Sequence, residues 1–137
     1  MAARREPRWL TREMVEAIHA LQLSLNGGLP GLRDPGALES ALGRPKHQWH
    51  YQSAENVFDC AAAYGFGLAK NHAFSDGNKR TAFVSMATFL ERNGFPLNAP
   101  EAEAVITMLA VAEGHMKEAE LAKWLRENSK RRLKKKK

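Results

Sequence analysis

The sequence predicts an all-α protein that folds as a single compact domain of about six helices. Apolar residues recur at helical spacing, capping residues and Gly or Pro stops delimit these stretches, and no stretch shows convincing β alternation. With 137 residues and a hydrophobic content of 44%, the chain can bury one core without disulfides. The domain is expected over residues 11–128, between an irregular arm over 1–10 and a disordered basic tail over 129–137.

The first two helices begin at clear capping residues. Thr11 is a predicted N-cap for a helix over about 12–25, and the glycines that follow end this helix. Asp34 is the predicted N-cap of the second helix, because Pro35 then stands at the first helical position, where its missing N–H costs nothing. This second helix is expected to be short and to end at Leu42-Gly43.

A loop and a long, small-residue helix are predicted next. Residues 44–53 are polar and aromatic with no helical period, so they are expected to form a loop. Ser53 then caps a predicted helix over about 54–70. The glycines at 65 and 67 among many alanines indicate close packing against another helix.

Three further helices complete the domain. The fourth is predicted over about 78–92, with Asn93-Gly94 as its stop, and the fifth begins near Pro100 and ends at Gly114. The last covers about 116–128. At the other end of the chain, Trp9 and Leu10 are expected to pin the N-terminal arm to the core.

The stretch from His72 to Thr81 gathers a base, an acid, an amide and two cations around a glycine. His72 suits a general base, because its ordinary pKa lies near neutrality, although a lone histidine is more often a surface or capping residue. Asp76 is a candidate Mg²⁺ ligand, since one carboxylate suffices when phosphates and water fill the other positions. Its alternative role is the N-cap of the fourth helix.

The rest of this stretch resembles an anion site at a helix N-terminus. Gly77 allows close approach of a ligand to the backbone, and Asn78, Lys79 and Arg80 place donors around the helix start. Phe74 is expected to anchor the loop in the core. The combination indicates phosphoryl-type chemistry, in which positioning and charge perform most of the catalysis.

The net charge of +6 comes from the C-terminal tail. Residues 130–137 contain seven Lys or Arg, and removing these from the 21 basic residues leaves 14 against 15 acidic residues, a net charge of −1. The tail could bind polyanions weakly, and no specific nucleic-acid partner is expected. We expect a cytoplasmic protein without a membrane partner. No apolar h-region follows the charged N-terminus, so a secretory signal is not expected there. The sequence contains no run of ~20 apolar residues, and Cys60 is its single cysteine.

The pattern His-x-Phe-x-Asp-Gly-Asn-Lys-Arg-Thr at 72–81 resembles the signature of the Fic/Doc (Fido) family. It is most similar to the Doc branch, the death-on-curing toxins of type II toxin–antitoxin systems. The resemblance extends over about residues 10–126 and includes Ile18-His19, Gly31-Leu32-Arg33-Asp34 and Arg44-Pro45. It implies a Fido domain, with the motif loop leading into a helix N-terminus beside a short flap.

The resemblance also implies roles for the motif residues. They are a catalytic base at His72, a Mg²⁺ ligand at Asp76, a structural anchor at Phe74, and ATP phosphate contacts at Gly77, Asn78, Lys79 and Arg80.

Two departures from the adenylyltransferase pattern of the family direct the functional prediction. Lys79 replaces the second motif glycine and Phe83 replaces the second arginine. In Doc-like proteins this pattern accompanies a reversed nucleotide and transfer of the γ-phosphate to a threonine of elongation factor Tu, which arrests translation. AMP transfer on the same site, or a non-catalytic binding module, are the alternatives.

The resemblance further implies a docking flap and a separate inhibitor. Residues 44–53 match the family's target-docking flap, where Trp49 and Tyr51 would suit a partner strand. Ordinary packing is an equal alternative for Trp49. Because Leu109 occupies the first position of the nearest match to the family's inhibitory motif, we expect inhibition by a cognate antitoxin with a disordered C-terminal segment.

Overall fold

The computed structural model describes residues 5–51 and 53–130, and this part of the chain forms six α-helices and no β-strand. The helices are α1 (Arg12–Asn26), α2 (Pro35–His50), α3 (Val57–Lys70), α4 (Asn78–Arg92), α5 (Glu101–Ala112) and α6 (Glu118–Glu127). Two isolated antiparallel bridges join Leu32 to Phe74 and Leu97 to Ser129. The all-α prediction is confirmed. None of these helices is long and apolar enough to cross a bilayer.

The N-termini of α1 and α2 form as their local sequence predicts. The Thr11 hydroxyl accepts a hydrogen bond from the Met14 N–H at 3.2 Å, which satisfies one of the unpaired donors at the start of α1. The Asp34 carboxylate accepts from the Ala37 N–H at 3.0 Å, and Pro35 opens α2. Both predicted caps are therefore confirmed.

Helix α2 is longer than predicted, because it continues through Gly43 and Pro45 to His50. A proline inside a helix costs about 3 kcal/mol or more, so the continuation requires compensation. Pro45 is buried together with Ala41 and Leu42, and α2 packs along α3. Burial of this apolar face offsets the local penalty. The predicted end of the second helix was wrong, and most of the segment 44–53, predicted as a loop, is helical.

The start of α3 also differs from the prediction. Asn56, not Ser53, caps this helix, and its side-chain oxygen accepts from the N–H groups of Phe58 at 2.9 Å and Asp59 at 3.0 Å. The backbone N–H of Ser53 donates to the Gln48 carbonyl at 2.9 Å instead. Because α2 is longer, Ser53 lies in the turn that ends α2 and cannot begin α3.

Helix α3 is the centre of the domain and packs against α2, α4, α5 and α6. Its glycines allow this packing, as the sequence predicted. A Cβ at Gly65 would lie 2.1 Å from Met86 Sδ, and one at Gly67 would lie 3.2 Å from Ala41 Cβ. Neither position has room for a side chain without movement of its neighbour, so α4 and α2 approach the α3 backbone directly.

The N-terminal arm is pinned to this core, as predicted for Trp9 and Leu10. The Trp9 ring stacks on Phe89 with centroids 6.0 Å apart, and the Leu10 N–H donates to the Tyr64 hydroxyl at 3.0 Å. Burial raises the pKa of Tyr64 to about 12, so this hydroxyl stays protonated at neutral pH. The side chain of Cys60 is also buried in this core.

The end of α6 is attached to the segment between α4 and α5. The Asn98 N–H donates to the Asn128 carbonyl at 2.7 Å, and the Lys130 N–H donates to the Pro96 carbonyl at 3.1 Å. The first two residues of the predicted tail thus contact the domain. The rest of the tail, 131–137, and the first four residues of the arm lie outside the described residues.

The space around Gly65 in α3 and Gly43 in α2 predicts opposite effects of an alanine substitution on stability. Gly65→Ala should lower the free energy of unfolding by about 1–3 kcal/mol, because the new methyl group displaces the buried Met86 side chain. At Gly43 a new methyl group would have no neighbouring atom within 4 Å. Gly43→Ala should therefore raise the free energy of unfolding by up to about 1 kcal/mol, because alanine has the higher helix propensity. Urea denaturation of both variants checks this, and equal effects would contradict the packing described here.

Candidate active site

The motif loop, residues 71–77, connects α3 to α4 and lies against the connection between α1 and α2. We call that connection, residues 27–34, the bracing segment. The Ala73 carbonyl accepts from the backbone N–H groups of Arg33 at 2.8 Å and Asp34 at 2.9 Å, and the Ser75 N–H donates to the Gly31 carbonyl at 3.1 Å. The bracing segment thus satisfies the backbone polar groups that a loop beside a core would otherwise leave unpaired.

Phe74 and Asn78 hold the motif loop from the inside. Phe74 is 3% exposed and belongs to the buried core. Its N–H donates to the Asn78 side-chain oxygen at 3.1 Å, and its carbonyl accepts from the Asn78 side-chain nitrogen at 2.9 Å. The Asn78 amide therefore closes the loop, and its second N–H is left for the predicted phosphate contact.

Asp76 carries an exposed carboxylate held by two backbone amides. One oxygen accepts from the Leu29 N–H at 3.2 Å and the other from the Gly77 N–H at 2.8 Å. These hydrogen bonds, with a smaller contribution from the nearby cations of Arg80 and Lys79, lower the pKa of Asp76. The carboxylate is therefore ionised at neutral pH.

The same geometry corrects the alternative role of Asp76 as an N-cap. Gly77 is the N-cap of α4, with φ 75° in the left-handed region that favours glycine, and no side chain caps this helix. The N–H groups of the first turn are therefore available to an anion, whose charge the helix dipole also favours. Lys79 and Arg80 are exposed on this turn. Arg80 makes one long contact, 3.5 Å, to the Gly27 carbonyl.

His72 stands immediately after the last turn of α3. It is exposed and, among the described residues other than glycine, only His72 has a positive φ, at 50°. No hydrogen bond from the described residues engages its ring, so the unprotonated nitrogen of a neutral imidazole remains available to accept a proton. A left-handed conformation away from glycine is costly and concentrates at functional sites.

The predicted docking residues lie at the end of α2. Trp49 is partly buried and meets Trp9 edge-on, with ring centroids 6.4 Å apart, so it fulfils its alternative packing role. Tyr51 is 74% exposed and lies 4.5 Å from the His47 ring. The docking role of both residues stays a prediction.

A groove of about 500 Å³ begins at the first turn of α4 and extends between α1 and α5. Lys79 and Arg80 line its polar part. Phe83, Val105 and Leu109 line an apolar part, of which the last two are exposed. No sequence pattern predicts this groove, because its walls come from three separate helices.

Two further residues shape the site, and the sequence predicted a role there for neither of them. His19 of α1 is 6% exposed, and its Nε2 lies 2.8 Å from the Asp76 carbonyl oxygen. A Cβ at Gly28 would lie 2.8 Å from an Asp76 carboxylate oxygen, so only glycine fits there. The available signal was the position of His19 on the buried face of α1, four residues after Val15, since a buried polar group requires a partner.

The site thus combines an exposed imidazole, an ionised carboxylate and two exposed cations at an uncapped helix N-terminus. This arrangement can attract phosphate groups and can accept a proton beside them. The described residues hold no cluster of three or more His, Cys, Asp or Glu side chains able to bind a metal. A metal ion at Asp76 would therefore need further ligands from a substrate and from water, a donor set that fits Mg²⁺.

This chain is similar to a known protein family and to two named proteins. A family model described as the Fic/DOC family matches residues 9–90. The "Protein kinase doc" of Escherichia phage P1 is 39% identical over 95 residues, which are 69% of this chain and 75% of that protein. The "Toxin Doc" of Mycolicibacterium smegmatis is 45% identical over 74 residues, 53% of this chain and 57% of that protein.

The lowered pKa of Asp76 predicts a pH dependence of stability. The ionised carboxylate stabilises the folded state fully above the ordinary aspartate pKa of about 3.9, and this contribution is lost as the pH falls through the lower folded-state pKa. The difference in unfolding free energy between the wild type and Asp76→Asn should therefore be constant at neutral pH and shrink below pH about 4. Urea denaturation from about pH 2.5 to about pH 7 measures this difference. A difference that grows on acidification would contradict the lowered pKa of Asp76.

Proposed function

The chain belongs to the Fic/DOC family, and we propose that it is a Doc-like toxin with protein kinase activity, which transfers the γ-phosphate of ATP to a protein hydroxyl. The printed names of its relatives, a protein kinase and a toxin, support this proposal. The observation that carries it is the gathering of His72, Asp76, Lys79 and Arg80 at the uncapped N-terminus of α4. Phosphoryl transfer requires these elements, namely a base, a metal-binding carboxylate and charge that stabilises the moving phosphate.

In the proposed reaction, His72 takes the proton of the attacking hydroxyl. The ring is exposed and no hydrogen bond from the described residues occupies it, so a substrate hydroxyl can approach. The N–H groups of the first turn of α4, with Lys79, Arg80 and the free Asn78 N–H, bind the nucleotide phosphates.

Asp76 is the proposed ligand for Mg²⁺. Its carboxylate is exposed and ionised, and its backbone hydrogen bonds fix its direction before any ligand binds. Bound Mg²⁺ would neutralise charge on the phosphates during transfer. The remaining positions of the ion belong to phosphate oxygens and water.

Transfer of AMP is the second candidate, because the same fold and motif serve it elsewhere in the family. Two positions favour the kinase reaction instead. Lys79 places an exposed cation where the adenylyltransferase pattern has glycine. Phe83 lines the groove as a partly buried aromatic residue where that pattern has arginine, so this position offers no phosphate clamp.

The proposed protein substrate is a translation factor of the elongation factor Tu class, modified on a threonine. The resemblance of the motif to Doc-like proteins supports this choice. The predicted docking residue Tyr51 is 74% exposed, but it lies at the C-terminal end of α2, about 24 Å along this helix from the end that contacts the motif loop. Phosphorylation of this factor would arrest translation, and this arrest would explain the toxicity of the protein.

The proposal predicts a specific change in mass of the substrate. With Mg²⁺, ATP and elongation factor Tu, the protein should add about 80 Da to the factor, the mass of a phosphoryl group. Intact-protein mass spectrometry measures this shift, and a gain of about 329 Da would show AMP transfer and overturn the kinase proposal.

The control for this experiment is His72→Ala, which removes the base and leaves the phosphate-binding turn in place. It should lower the transfer rate by about 10²–10⁴-fold. A variant that keeps cellular toxicity without the imidazole would instead support a non-catalytic binding module.

The proposed partner that neutralises this toxin is an antitoxin whose disordered C-terminal segment binds the groove between α1, α4 and α5. Apolar residues line both sides of the groove, namely the exposed Val105 and Leu109 on α5 and the partly buried Phe83 on α4, and they suit the apolar face of an amphipathic helix. Because Lys79 and Arg80 also line the groove, the bound segment would lie against the proposed phosphate site.

Two neighbouring residues of α5 test this docking surface. Val105, 55% exposed, lines the groove, whereas Ile106, 66% exposed, does not. Val105→Asp should weaken binding of the cognate antitoxin by about tenfold or more, because it places a charge in the apolar contact. Ile106→Asp should change the affinity by less than about threefold. Calorimetric titration measures both, and equal losses would place the antitoxin elsewhere.

A further inference from the structure

We propose that His19 is a positioning residue, which fixes the orientation of the peptide bond between Asp76 and Gly77 and thereby the direction of the Asp76 carboxylate. His19 lies on α1, outside the motif, and is 6% exposed. Its Nε2 lies 2.8 Å from the Asp76 carbonyl oxygen. A carbonyl oxygen can only accept, so the imidazole must carry a proton on Nε2.

The His19 ring contacts the motif on both sides of this hydrogen bond. It stacks on the Phe74 ring with centroids 3.8 Å apart and planes 10° apart. A Cβ at Gly77 would lie 3.7 Å from His19 Cδ2, so the ring also borders Gly77. The stack fixes the plane of the imidazole, and the plane fixes where its N–H points.

The hydrogen bond matters because of the peptide unit that it holds. The Asp76 carbonyl and the Gly77 N–H belong to one planar peptide unit and point in opposite directions. The Gly77 N–H donates to the Asp76 carboxylate at 2.8 Å. When His19 holds the carbonyl, the planarity of the unit keeps this N–H directed at the carboxylate.

Gly77 makes such a restraint necessary. Glycine adopts positive and negative φ with similar ease, so the peptide unit that precedes it can rotate with little steric cost. Rotation would withdraw the N–H from the carboxylate and leave Leu29 as its remaining amide donor. His19 therefore selects one of two accessible orientations of this peptide.

Two substitutions separate the hydrogen bond from the aromatic packing. His19→Phe keeps a ring to stack on Phe74 but presents a C–H to the Asp76 carbonyl. His19→Gln keeps an N–H donor at a similar distance from the backbone but removes the ring. Because we assign the restraint of the peptide unit to the N–H donor of His19, only His19→Phe should release that unit.

Amide hydrogen exchange of the metal-free protein tests this directly. In His19→Phe, the Gly77 amide should exchange about tenfold faster than in the wild type, the effect expected for loss of one typical hydrogen bond. The Thr81 amide, which donates to the Gly77 carbonyl within α4, is the internal reference and should change by less than about threefold. In His19→Gln, exchange at Gly77 should stay within about threefold of the wild type.

Unchanged exchange at Gly77 in His19→Phe would overturn the inference. So would equally fast exchange in His19→Gln, because the ring and not the donor would then hold the loop. If His19→Phe does not fold, His19→Gln decides the matter by the same criterion.

A second readout rests on the proposed function and uses the metal dependence of phosphate transfer. His19→Phe should raise the Mg²⁺ concentration for half-maximal transfer by about tenfold, while kcat at saturating Mg²⁺ should change by less than about threefold. A general packing defect would lower kcat at every metal concentration. Failure of the wild type to transfer phosphate would reject the proposed function, and the exchange experiment would still test the role of His19.

Discussion

The backbone pairing between the motif loop and the bracing segment is the constraint on which the rest of the site depends. The two segments lie far apart in sequence, since Leu29 and Asp76 are 47 positions apart. Their hydrogen bonds satisfy the loop, and the isolated bridge between Leu32 and Phe74 sets their register. The loop therefore acquires its conformation from tertiary structure. The helices on either side of the bracing segment, α1 and α2, matter because they hold that segment in place.

The sequence predicted the elements whose signals are local. Thr11 and Asp34 cap their helices as expected, because an N-cap needs only a side chain and the N–H groups two or three positions later. Helix α4 likewise follows its own pattern. The prediction failed at Gly43 and Ser53, where local rules indicated the end of one helix and the start of the next. There the buried contact of α2 with α3 outweighs the local preference for a helix end. The residues of α3 that make this contact lie outside the stretch of sequence around Pro45, so a local pattern cannot reveal them.

The candidate site divides in the same way. Its chemical groups could be found in the sequence, because a base, a carboxylate and two cations fall within one short motif. The hydrogen bonds that hold these groups in place could not be found in the sequence, because they involve backbone atoms. His19 binds the Asp76 carbonyl and Leu29 donates its own N–H, and every residue has such atoms, so no residue pattern marks them. The groove beside Lys79 could not be predicted from the sequence either, because residues of three helices line it.

The conformation of His72 has a consequence for the evolution of this chain. The residue follows Asn71, the C-cap of α3, at the position where helices commonly place a left-handed glycine. A side chain there costs roughly 1 kcal/mol or more in backbone strain. Selection for stability alone would therefore favour glycine at position 72. The histidine marks a trade-off, in which the domain gives up part of a small margin of stability to retain an imidazole at the mouth of its site.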